Sequence, residues 1–407
     1  MHKILLVCYG GGHARIIEKV YQKLSETTNF KIEILAFTAA VPYFKNKNIK
    51  IKTILDYEIK TDEGKNKQEI ESLIPVYKDN ALMTKEEHYK YNYLSIYDLL
   101  ESFSYNKVKN LIQKFGRRVY LPKNTMKQIL MIEKPSLLIT TSSPRMEKAA
   151  LISAKKLGIR SVSIEDLFGK VRKIDLEIDE EIGTNEYSRT FGDNIFVMNN
   201  LGKQNLLNLG IDEERIVITG NPNFDDLINF NNIEKINQLK SNMNIPEDKT
   251  KIIYLAQQTD YVDQIMSRLK EIIKNNNFYL IVKLHPNQGV FHINEKNILV
   301  VKDNLYDYIS MVDLAITEYS TTGLEALLLK KKLISIQLSN EFNEVIPFRN
   351  LGNTTVINSI DDLEETLIHS LNQVYKETPE NFKQPFNATD KIINVLIKIT
   401  QEELLDA

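Results

Sequence analysis

Short runs of β-branched and apolar residues alternate with helical patterns along most of this chain. This alternation is typical of strands joined by helical crossovers, and it restricts the fold to parallel sheets covered by helices. The runs that predict strands lie at residues 3–8, 31–37, 136–140, 160–164, 194–198 and 215–218, and then at 251–255, 279–284, 298–301, 314–317 and 333–337. We therefore expect an α/β protein with two Rossmann-like halves.

The length of the chain supports the same two-part organisation. With 407 residues, it exceeds the usual size of a single hydrophobic core. We expect an N-terminal Rossmann-like domain over residues 1–222, with an irregular insertion at about 57–125, and a second Rossmann-like domain over 223–388. A C-terminal helix over 389–407 is expected to pack back on the first domain. The two parallel sheets are expected to face each other across a ligand-binding cleft.

The composition excludes more functions than it identifies. Apolar residues make up 43% of the chain and charged residues 26%, as in ordinary globular proteins. A formal net charge of −2 argues against nucleic acid as the main partner. The single cysteine, Cys8, excludes an internal disulfide framework, and no apolar run is long enough to cross a membrane. We expect a cytoplasmic protein, and leave open both contact with the inner face of the membrane and a homodimer.

The segment Thr317–Ala326 predicts a phosphate site. An apolar strand pattern precedes it and strong helix formers follow it, with Ser320, Thr321, Thr322 and Gly323 at the turn. A strand, a hydroxyl-rich turn and a helix N-terminus aim backbone N–H groups and the positive end of the helix dipole at one point, where an anion binds. Simple helix capping by Ser or Thr is the alternative interpretation of the same residues.

A histidine at the end of another strand strengthens the phosphate interpretation. Residues 279–284 predict a strand that leads to His285, and Pro286 disfavours a helical conformation at this histidine. Ligands of open α/β sheets bind at the carboxyl ends of the strands. His285 could therefore donate to a phosphate oxygen or protonate a departing phosphate, although a purely structural histidine is the alternative.

Two acidic residues and a second histidine in the first half are candidates for acid–base chemistry. Glu165 and Asp166 directly follow the predicted strand 160–164, so a carboxylate there can reach an acceptor hydroxyl at the sheet edge. His13 follows three glycines at the end of the first strand. That position suits either a substrate contact or a hydrogen bond to the local backbone.

Four short motifs resemble those of the nucleotide-sugar glycosyltransferases of the GT-B fold, and together they span nearly the whole chain. Residues 10–13, Gly-Gly-Gly-His, are similar to the glycine-rich first turn of those enzymes. Residues 219–225 are similar to the interdomain segment of lipid A Kdo transferases and UDP-GlcNAc 2-epimerases. Residues 283–286 and 317–322 resemble the paired His-Pro and Ser/Thr motifs of bacterial sialyltransferases, capsular Kdo transferases and CDP-glycerol glycerophosphotransferases.

The resemblance implies an acceptor-binding first domain and a second domain that binds the nucleotide donor. In that group the histidine and the hydroxyls hold the phosphate of a cytidine nucleotide, and in many members a glutamate at the position of Glu325 binds the ribose. First-turn stabilisation of the helix dipole is the alternative role of Glu325. The donor-binding residues implied in this way are Gly11, Gly12, Asn221, His285, Pro286, Ser320, Thr321, Thr322, Gly323 and Glu325.

The resemblance also adds one candidate for the general base. Asp62 begins an Asp-Glu-Gly sequence that is similar to the acidic pair followed by glycine in bacterial sialyltransferases, although an acidic surface turn is the alternative interpretation. The candidate catalytic residues are then Glu165, Asp166, Asp62, His13 and His285.

The implied reaction is inverting transfer of a sugar from a nucleotide donor to a hydroxyl of a glycan or glycolipid acceptor, in the synthesis of a surface polysaccharide or glycoconjugate. The motifs favour a sialic-acid-like nonulosonate or Kdo carried by CMP. The helix N-terminus, its hydroxyls and His285 would neutralise the leaving phosphate. The adjacent pairs Asp225-Asp226 and Asp361-Asp362 are poor metal sites, so we expect no metal and no cofactor beyond the nucleotide-sugar co-substrate.

Two other enzyme classes fit parts of the same pattern. A UDP-GlcNAc 2-epimerase or UDP-sugar transferase would share the fold and the interdomain segment. Epimerases, however, usually carry an arginine-containing motif after the first strand and a Ser-Gly-Gly turn before the late helix, where this chain has Gly-Gly-Gly-His and Ser-Thr-Thr-Gly. A CDP-glycerol-type polyol-phosphate transferase fits the His-Pro and Glu-Tyr-Ser-Thr motifs. A non-catalytic binding protein would leave the cradle and His285 unexplained.

Overall fold

The chain forms two compact units. The computed structural model describes residues 3–62, 66–78, 82–142, 145–166, 168–183, 191–230, 233–243, 245–257, 259–285, 295–302, 305–339, 346–377 and 379–405. The first unit comprises Met1–Asn223 together with Asn387–Ala407, and the second comprises Phe224–Phe386. These divisions fall close to the domain limits expected from the sequence.

The first unit contains a parallel sheet of six strands, in the order β2-β1-β3-β4-β5-β6. From β1 the chain adds β2 on one side of the sheet and then β3 to β6 on the other side. The position between β1 and β3 is therefore the topological switch point of the sheet. The strands are β1 (Lys3–Cys8), β2 (Lys31–Ala36), β3 (Leu137–Thr141), β4 (Arg160–Ile164), β5 (Asn194–Val197) and β6 (Ile216–Ile218). All six were expected from the sequence, within one or two residues.

Helices cover both faces of this sheet. They are α1 (Gly12–Thr27), α2 (Ala40–Asn46), α3 (Lys67–Leu73), α4 (Lys85–Leu100), α5 (Tyr105–Phe115), α6 (Lys123–Glu133), α7 (Met146–Leu157), α8 (Lys173–Glu181), α9 (Asn200–Asn208) and the C-terminal α15 (Ala388–Leu405). Because successive strand residues point to opposite faces, Leu6 of β1 belongs to one core and Leu5 to the other. Helix α15 buries Ile392 and Leu396 in the core that also contains Ile16 of α1, so the C-terminal helix packs on the first unit, as predicted.

Helices form much of the described part of the insertion expected at about 57–125. Helices α3, α4 and α5 lie within it, and α4 begins with a capping box between Thr84 and Glu87. Its tyrosines are partly structural, because Tyr91 and Tyr120 are buried with ring centroids 5.8 Å apart. Tyr89 stays exposed and stacks on Tyr93, at 5.7 Å between centroids.

The second unit also contains a parallel sheet of six strands, in the order β12-β11-β10-β7-β8-β9. Read from β9, this is the 3-2-1-4-5-6 order of the Rossmann fold, with its switch point between β7 and β10. The strands are β7 (Thr250–Leu255), β8 (Phe278–Lys283), β9 (Ile298–Val301), β10 (Leu314–Thr317), β11 (Lys332–Ile336) and β12 (Thr354–Ile357). The sequence prediction contained the first five and missed β12.

The helices of the second unit are α10 (Ile233–Asn242), α11 (Val262–Asn275), α12 (Leu305–Met311), α13 (Thr321–Leu328) and α14 (Leu363–Asn372). The core on one face of the sheet joins strand residues such as Tyr254 and Ile316 to α11 and α14. The α/β class with two Rossmann-like units is therefore confirmed. No helix in the described part of the chain is long and apolar enough to span a bilayer.

Candidate active site

The first candidate site lies at the switch point of the first sheet, where strand β1 ends in a glycine turn. Gly10 has φ 144° and Gly11 has φ 61°, conformations that residues with a Cβ rarely adopt. A Cβ on Gly10 would also lie only 2.8 Å from Cβ of Ala39. The turn allows α1 to start at Gly12, which puts His13 in the first helical turn beside the end of β3.

His13 lies between two carboxylates. Its Nε2 is 3.2 Å from Oδ2 of Asp166, and its Nδ1 is 3.7 Å from Oε1 of Glu147. The hydroxyl of Thr141, at the end of β3, bonds to Nδ1 of His13 and donates to Oε2 of Glu147. The backbone N–H of Tyr9 donates to Oε1 of Glu147 over 2.8 Å. We call His13, Thr141, Glu147 and Asp166 the His13 cluster.

The hydrogen bonds of the His13 cluster require a protonated imidazole. Since the Thr141 hydroxyl donates to Glu147, its oxygen accepts from Nδ1 of His13, while Nε2 donates to Asp166. Burial alone would lower the pKa of His13, but the charges and hydrogen bonds of Asp166 and Glu147 outweigh burial and hold the pKa well above its ordinary value. Burial opposes ionisation of Asp166 as well, yet His13 and, to a smaller extent, Arg172 lower the pKa of that carboxyl.

The two carboxyl groups of the His13 cluster differ in their access to solvent. Glu147 is fully buried, whereas 18% of the Asp166 side chain is exposed. Asp166 is therefore the carboxylate of the His13 cluster that an external hydroxyl can reach.

Two asparagines hold the loop that carries Asp166. Nδ2 of Asn221 donates to the backbone carbonyl of Asp166 over 3.1 Å. The side-chain oxygen of Asn221 accepts from the N–H of Asn223, whose Nδ2 donates to the carbonyl of Gly12. Asn221, predicted to bind the donor, thus lies in the first unit and links the Asp166 loop to the turn at Gly12.

Glu165 and Asp62 are the other two carboxylates predicted as general bases. Glu165 is 5% exposed, and its backbone N–H donates to the carbonyl of Phe196. Asp62 is exposed in the segment before α3, where its N–H donates to the hydroxyl of Tyr97. Its motif partners Glu63 and Gly64 lie outside the described residues. The catalytic roles of these residues stay predictions.

The second candidate site lies at the start of α13, beside the switch point of the second sheet. Ser320 is the N-cap residue: its hydroxyl accepts from the N–H of Thr322 over 3.2 Å and from the Thr322 hydroxyl over 2.8 Å. Thr321 is exposed in the first turn. The helix cap therefore lies at the same end of α13 as the predicted anion site. We call Ser320–Thr322 the phosphate cradle.

Gly323 has a packing role that the motif did not show. A Cβ at this position would lie 2.9 Å from Cγ2 of Thr317 and 3.0 Å from Cζ of Phe348. Gly323 is buried, and its predicted contact with the donor stays a prediction. Glu325 is buried as well and accepts a hydrogen bond from the Tyr306 hydroxyl over 3.1 Å. Its predicted ribose contact also stays untested.

A hydrogen-bonded network fixes the loop before the phosphate cradle. The carboxylate of Glu318 accepts from the hydroxyls of Tyr254 and Thr259, over 3.0 Å and 2.5 Å. The next N–H, that of Tyr319, donates to Oε1 of Gln257 over 2.7 Å. Burial raises the pKa of Glu318, although the Thr259 and Tyr254 hydrogen bonds oppose the rise. Loops that follow β7 and β10, the two strands at the switch point, are thereby joined.

His285 lies just beyond β8, which pairs with β7 in the same sheet. The imidazole is half-buried, and burial, followed by the positive charge of Lys283, lowers its pKa. His285 is therefore neutral near pH 7 and can donate one hydrogen bond from its protonated nitrogen. Pro286 lies outside the described residues.

Sequence reasoning missed three residues that organise these sites: Thr141, Glu147 and Glu318. Thr141 is the last residue of β3 and Glu147 lies in the first turn of α7, and the pairing of β3 with β1 brings both to His13. The position of Thr141 at a strand end beside the switch point was the available signal. In the described part of the chain, no group of three or more His, Cys, Asp or Glu side chains is arranged to hold a metal ion.

The fold is that of the GT-B enzymes, a class that includes transferases and epimerases of nucleotide-activated sugars or polyols. Solved structures similar over almost the whole chain include Methanocaldococcus jannaschii UDP-GlcNAc 2-epimerase with UDP-GlcNAc and UDP, at a TM-score of 0.60 and 16% identity, covering 97% of this chain and 99% of that one. S. aureus MnaA bound to UDP matches at a TM-score of 0.63 and 14% identity, covering 98% and 97%. These likenesses show the fold.

The chain belongs to a particular family within that class. The family model described as CDP-glycerol:poly(glycerophosphate) glycerophosphotransferase matches residues 187–390, which is half of the chain and includes the phosphate cradle and His285. In sequence, the chain is also 23% identical over 302 residues to the UDP-N-acetylglucosamine 2-epimerase of M. jannaschii, covering 67% of this chain and 78% of the relative. The closer resemblance to sialyltransferases and Kdo transferases stays a prediction.

Proposed function

We propose that this enzyme transfers a polyol phosphate, of the glycerol phosphate type, from a cytidine diphosphate donor to a hydroxyl group of an acceptor. The observation that carries the proposal is the family match over residues 187–390, because it covers the phosphate cradle and His285. In the reaction, an acceptor oxygen attacks the β-phosphorus of the donor. The bond from that phosphorus to the bridging oxygen breaks, and CMP leaves with the bonding electrons.

The phosphate cradle and His285 are assigned to the donor. CMP gains negative charge as it leaves, and the N-terminus of α13 offers backbone N–H groups and the positive end of its dipole to that charge. The Thr321 side chain, exposed in the first turn, adds a hydroxyl donor. His285 is neutral because burial lowers its pKa, and it donates a hydrogen bond from the one ring nitrogen that carries a proton.

The His13 cluster is assigned to the acceptor. Asp166 takes the proton of the attacking hydroxyl, since it is the carboxylate of the His13 cluster that solvent reaches. His13 stays protonated and orients Asp166 through Nε2, while Thr141 and Glu147 orient His13 through Nδ1. This assignment selects Asp166 from the three carboxylates predicted as the base.

A second candidate is chemistry on a UDP-linked amino sugar. It is favoured by the sequence match to the M. jannaschii epimerase, which covers 67% of this chain. The Ser-Thr-Thr-Gly turn at the phosphate cradle, where epimerases usually carry Ser-Gly-Gly, argues against it. Transfer of a sialic-acid-like sugar or Kdo from CMP would use the same cytidine nucleotide, but the family match favours a CDP-linked polyol.

A thermal-shift panel of CDP, CMP, UDP and GDP tests the donor assignment, because a ligand that binds only the native state raises the melting temperature. We expect the largest rise with CDP, and loss of that rise in the double variant Ser320→Ala/Thr321→Ala. A response to UDP alone would favour the second candidate, and a response to CMP alone would favour a CMP-linked sugar. The proposal includes no metal requirement, so activity should survive EDTA; loss that Mg²⁺ restores would contradict that part.

A further inference from the structure

A small depression beside the His13 cluster carries unpaired positive charge. About 280 Å³ of space, partly open to solvent, lies between α7, α8 and residues 116–121 of the first unit. Its polar lining comes from five charged side chains and one tyrosine: Arg118, Tyr120, Arg145, Lys148, Asp175 and Asp179. The three cations exceed the two carboxylates by one charge.

The carboxylates of the depression are already paired. Asp179 accepts from Nζ of Lys148 at 2.6 Å and 2.8 Å, through both of its oxygens. Asp175 accepts from Nε and Nη2 of Arg172 at 2.7 Å and 3.2 Å. Among the described residues, no carboxylate bonds to either of the two remaining cations. The charge that the depression offers to a ligand therefore comes from two guanidinium groups.

Arg145 is held at this position rather than free in solvent. It precedes α7 with φ 70°, and its guanidinium lies 4.3 Å from the centre of the Tyr9 ring. Its Nε is buried and has no hydrogen-bond partner among the described residues. A buried donor that bonds to nothing is costly, so an acceptor oxygen supplied by a ligand would stabilise it. Arg118 contributes a second, exposed guanidinium to the same depression.

The depression and the His13 cluster share their supporting residues. Arg145 and Glu147 are two residues apart at the start of α7. The ring of Tyr9 contacts Arg145, while its backbone N–H donates to Glu147. A group bound by Arg145 is therefore near the residues that position His13.

We propose that Arg118 and Arg145 form a subsite for a phosphate group of the acceptor. The proposal rests on the proposed function, which assigns the first unit to an acceptor. Guanidinium groups bind phosphate oxygens through paired, charge-assisted hydrogen bonds, and two of them suit a single phosphate better than a neutral sugar. The subsite would select acceptors that already carry a phosphate, such as a growing polyol phosphate chain, over neutral glycans.

Calorimetric titration with glycerol 3-phosphate tests the subsite. The full chain is first saturated with CDP, which occupies the phosphate cradle, and glycerol is titrated as the neutral probe. Arg118 is exposed, so Arg118→Gln should fold normally; we expect it to weaken glycerol 3-phosphate binding about tenfold, through loss of charge-assisted bonds. Arg145→Gln should weaken it at least as much. Inorganic phosphate should compete, because the phosphate is the group recognised.

Arg117→Gln is the matched control. Arg117 is the neighbouring exposed arginine on residues 116–119, but it does not line the depression. We expect the affinity of the Arg117→Gln variant for glycerol 3-phosphate to stay within about twofold of wild type, since only the long-range electrostatic field at the depression changes. Equal weakening by Arg117→Gln and Arg118→Gln, wild-type affinity in Arg118→Gln, or equal binding of glycerol and glycerol 3-phosphate would each overturn the subsite.

The same titrations separate failure of the subsite from failure of the proposed function. CDP is titrated alone into wild type and into Arg118→Gln, and we expect equal affinities. Absence of CDP binding would refute the donor assignment, and glycerol 3-phosphate titrated into the nucleotide-free variants would still decide whether Arg118 and Arg145 bind phosphate.

Discussion

The two candidate sites occupy equivalent positions in their sheets but are built from different chemistry. Each lies at the carboxyl ends of the strands that flank a topological switch point, β1 and β3 in one unit and β7 and β10 in the other. The His13 cluster consists of three ionisable side chains and one hydroxyl joined over long sequence distances, with Thr141 and His13 separated by 128 residues. The phosphate cradle is local, since Ser320 and Thr322 are two residues apart.

This difference indicates what each site can do. Two carboxylates around one imidazolium hold protons at defined atoms, which suits proton transfer. A helix start with hydroxyls offers donors but no titratable group of its own, which suits binding of an anion. We therefore expect variants of the His13 cluster to impair turnover and leave nucleotide affinity intact, and variants of the phosphate cradle to weaken nucleotide affinity.

The largest effect is expected for Asp166→Asn. The amide keeps the size of the side chain but cannot accept the acceptor proton, so the rate of transfer should fall about 100-fold or more. The Kd for CDP, measured by calorimetry, should not change. Asp212→Asn removes an exposed carboxylate of the same unit and should leave the rate unaltered. Wild-type turnover in Asp166→Asn would remove Asp166 from the mechanism.

Loss of the imidazole should reduce both turnover and stability. His13→Gln leaves the fully buried Glu147 without its cationic partner, which we expect to lower the free energy of unfolding by about 3 kcal/mol. Urea unfolding measures this change. Adding Glu147→Gln should recover part of the loss, because the buried charge is gone. Simple addition of the two single effects would show that His13 and Glu147 are not coupled.

A smaller effect is expected at the phosphate cradle. Ser320→Ala/Thr321→Ala should weaken CDP binding about tenfold, since hydrogen bonds to charged phosphate oxygens are lost. Thr84→Ala, which removes the cap of α4 in the first unit, is the matched control. Both variants should lose about 1 kcal/mol of stability, but only the first should change the Kd for CDP. Equal CDP affinity in the two would reduce the phosphate cradle to an ordinary helix cap.

The pKa values of His13 and His285 should differ from the ordinary histidine value in opposite directions. Side-chain NMR from about pH 5 to pH 9 should show His13 still protonated at about pH 7.5 and His285 neutral, because their pKa values lie above and below the ordinary value. His13→Gln and His285→Gln assign the two signals among the six histidines. The raised pKa of His13 stabilises the fold at low pH, and this contribution is lost as pH rises through that pKa.

The lowered pKa of His285 acts in the opposite direction. Its effect is absent above the unfolded pKa, and stability decreases as pH falls through the folded pKa. His13→Gln should therefore alter the pH dependence of the free energy of unfolding above the ordinary histidine pKa, and His285→Gln should alter it below that pKa. A neutral His13 at about pH 7 would contradict the hydrogen-bond directions assigned to the His13 cluster.

Local patterns were sufficient for most of the fold and for the phosphate cradle. Strands of the Rossmann-like halves are apolar, β-branched runs, and the turn at Ser320–Thr322 has a recognisable composition. Strand β12 was missed because Thr354–Ile357 is a short, partly exposed run. The capping of α13 was anticipated, and anion binding at its N-terminus stays a prediction.

Contacts that depend on strand order could not be predicted in this way. Glu147 lies in the first turn of α7, where a glutamate is common for reasons of helix stability alone. It reaches His13 because β3 pairs with β1, and the sequence pattern does not state that pairing. For the same reason, the sequence left Glu165, Asp166 and Asp62 as alternatives for the general base, whereas the structure places Asp166 against His13.

Transfer of label from CDP-glycerol is the direct test of polyol-phosphate transfer by this protein. The full chain is incubated with CDP-glycerol labelled in the glycerol moiety and with a short glycerol phosphate oligomer as acceptor. We expect label to enter the oligomer, one CMP to be released for each glycerol phosphate transferred, and Asp166→Asn to abolish nearly all of both. Consumption of UDP-GlcNAc or of a CMP-linked sugar under the same conditions, with CDP-glycerol left intact, would contradict polyol-phosphate transfer.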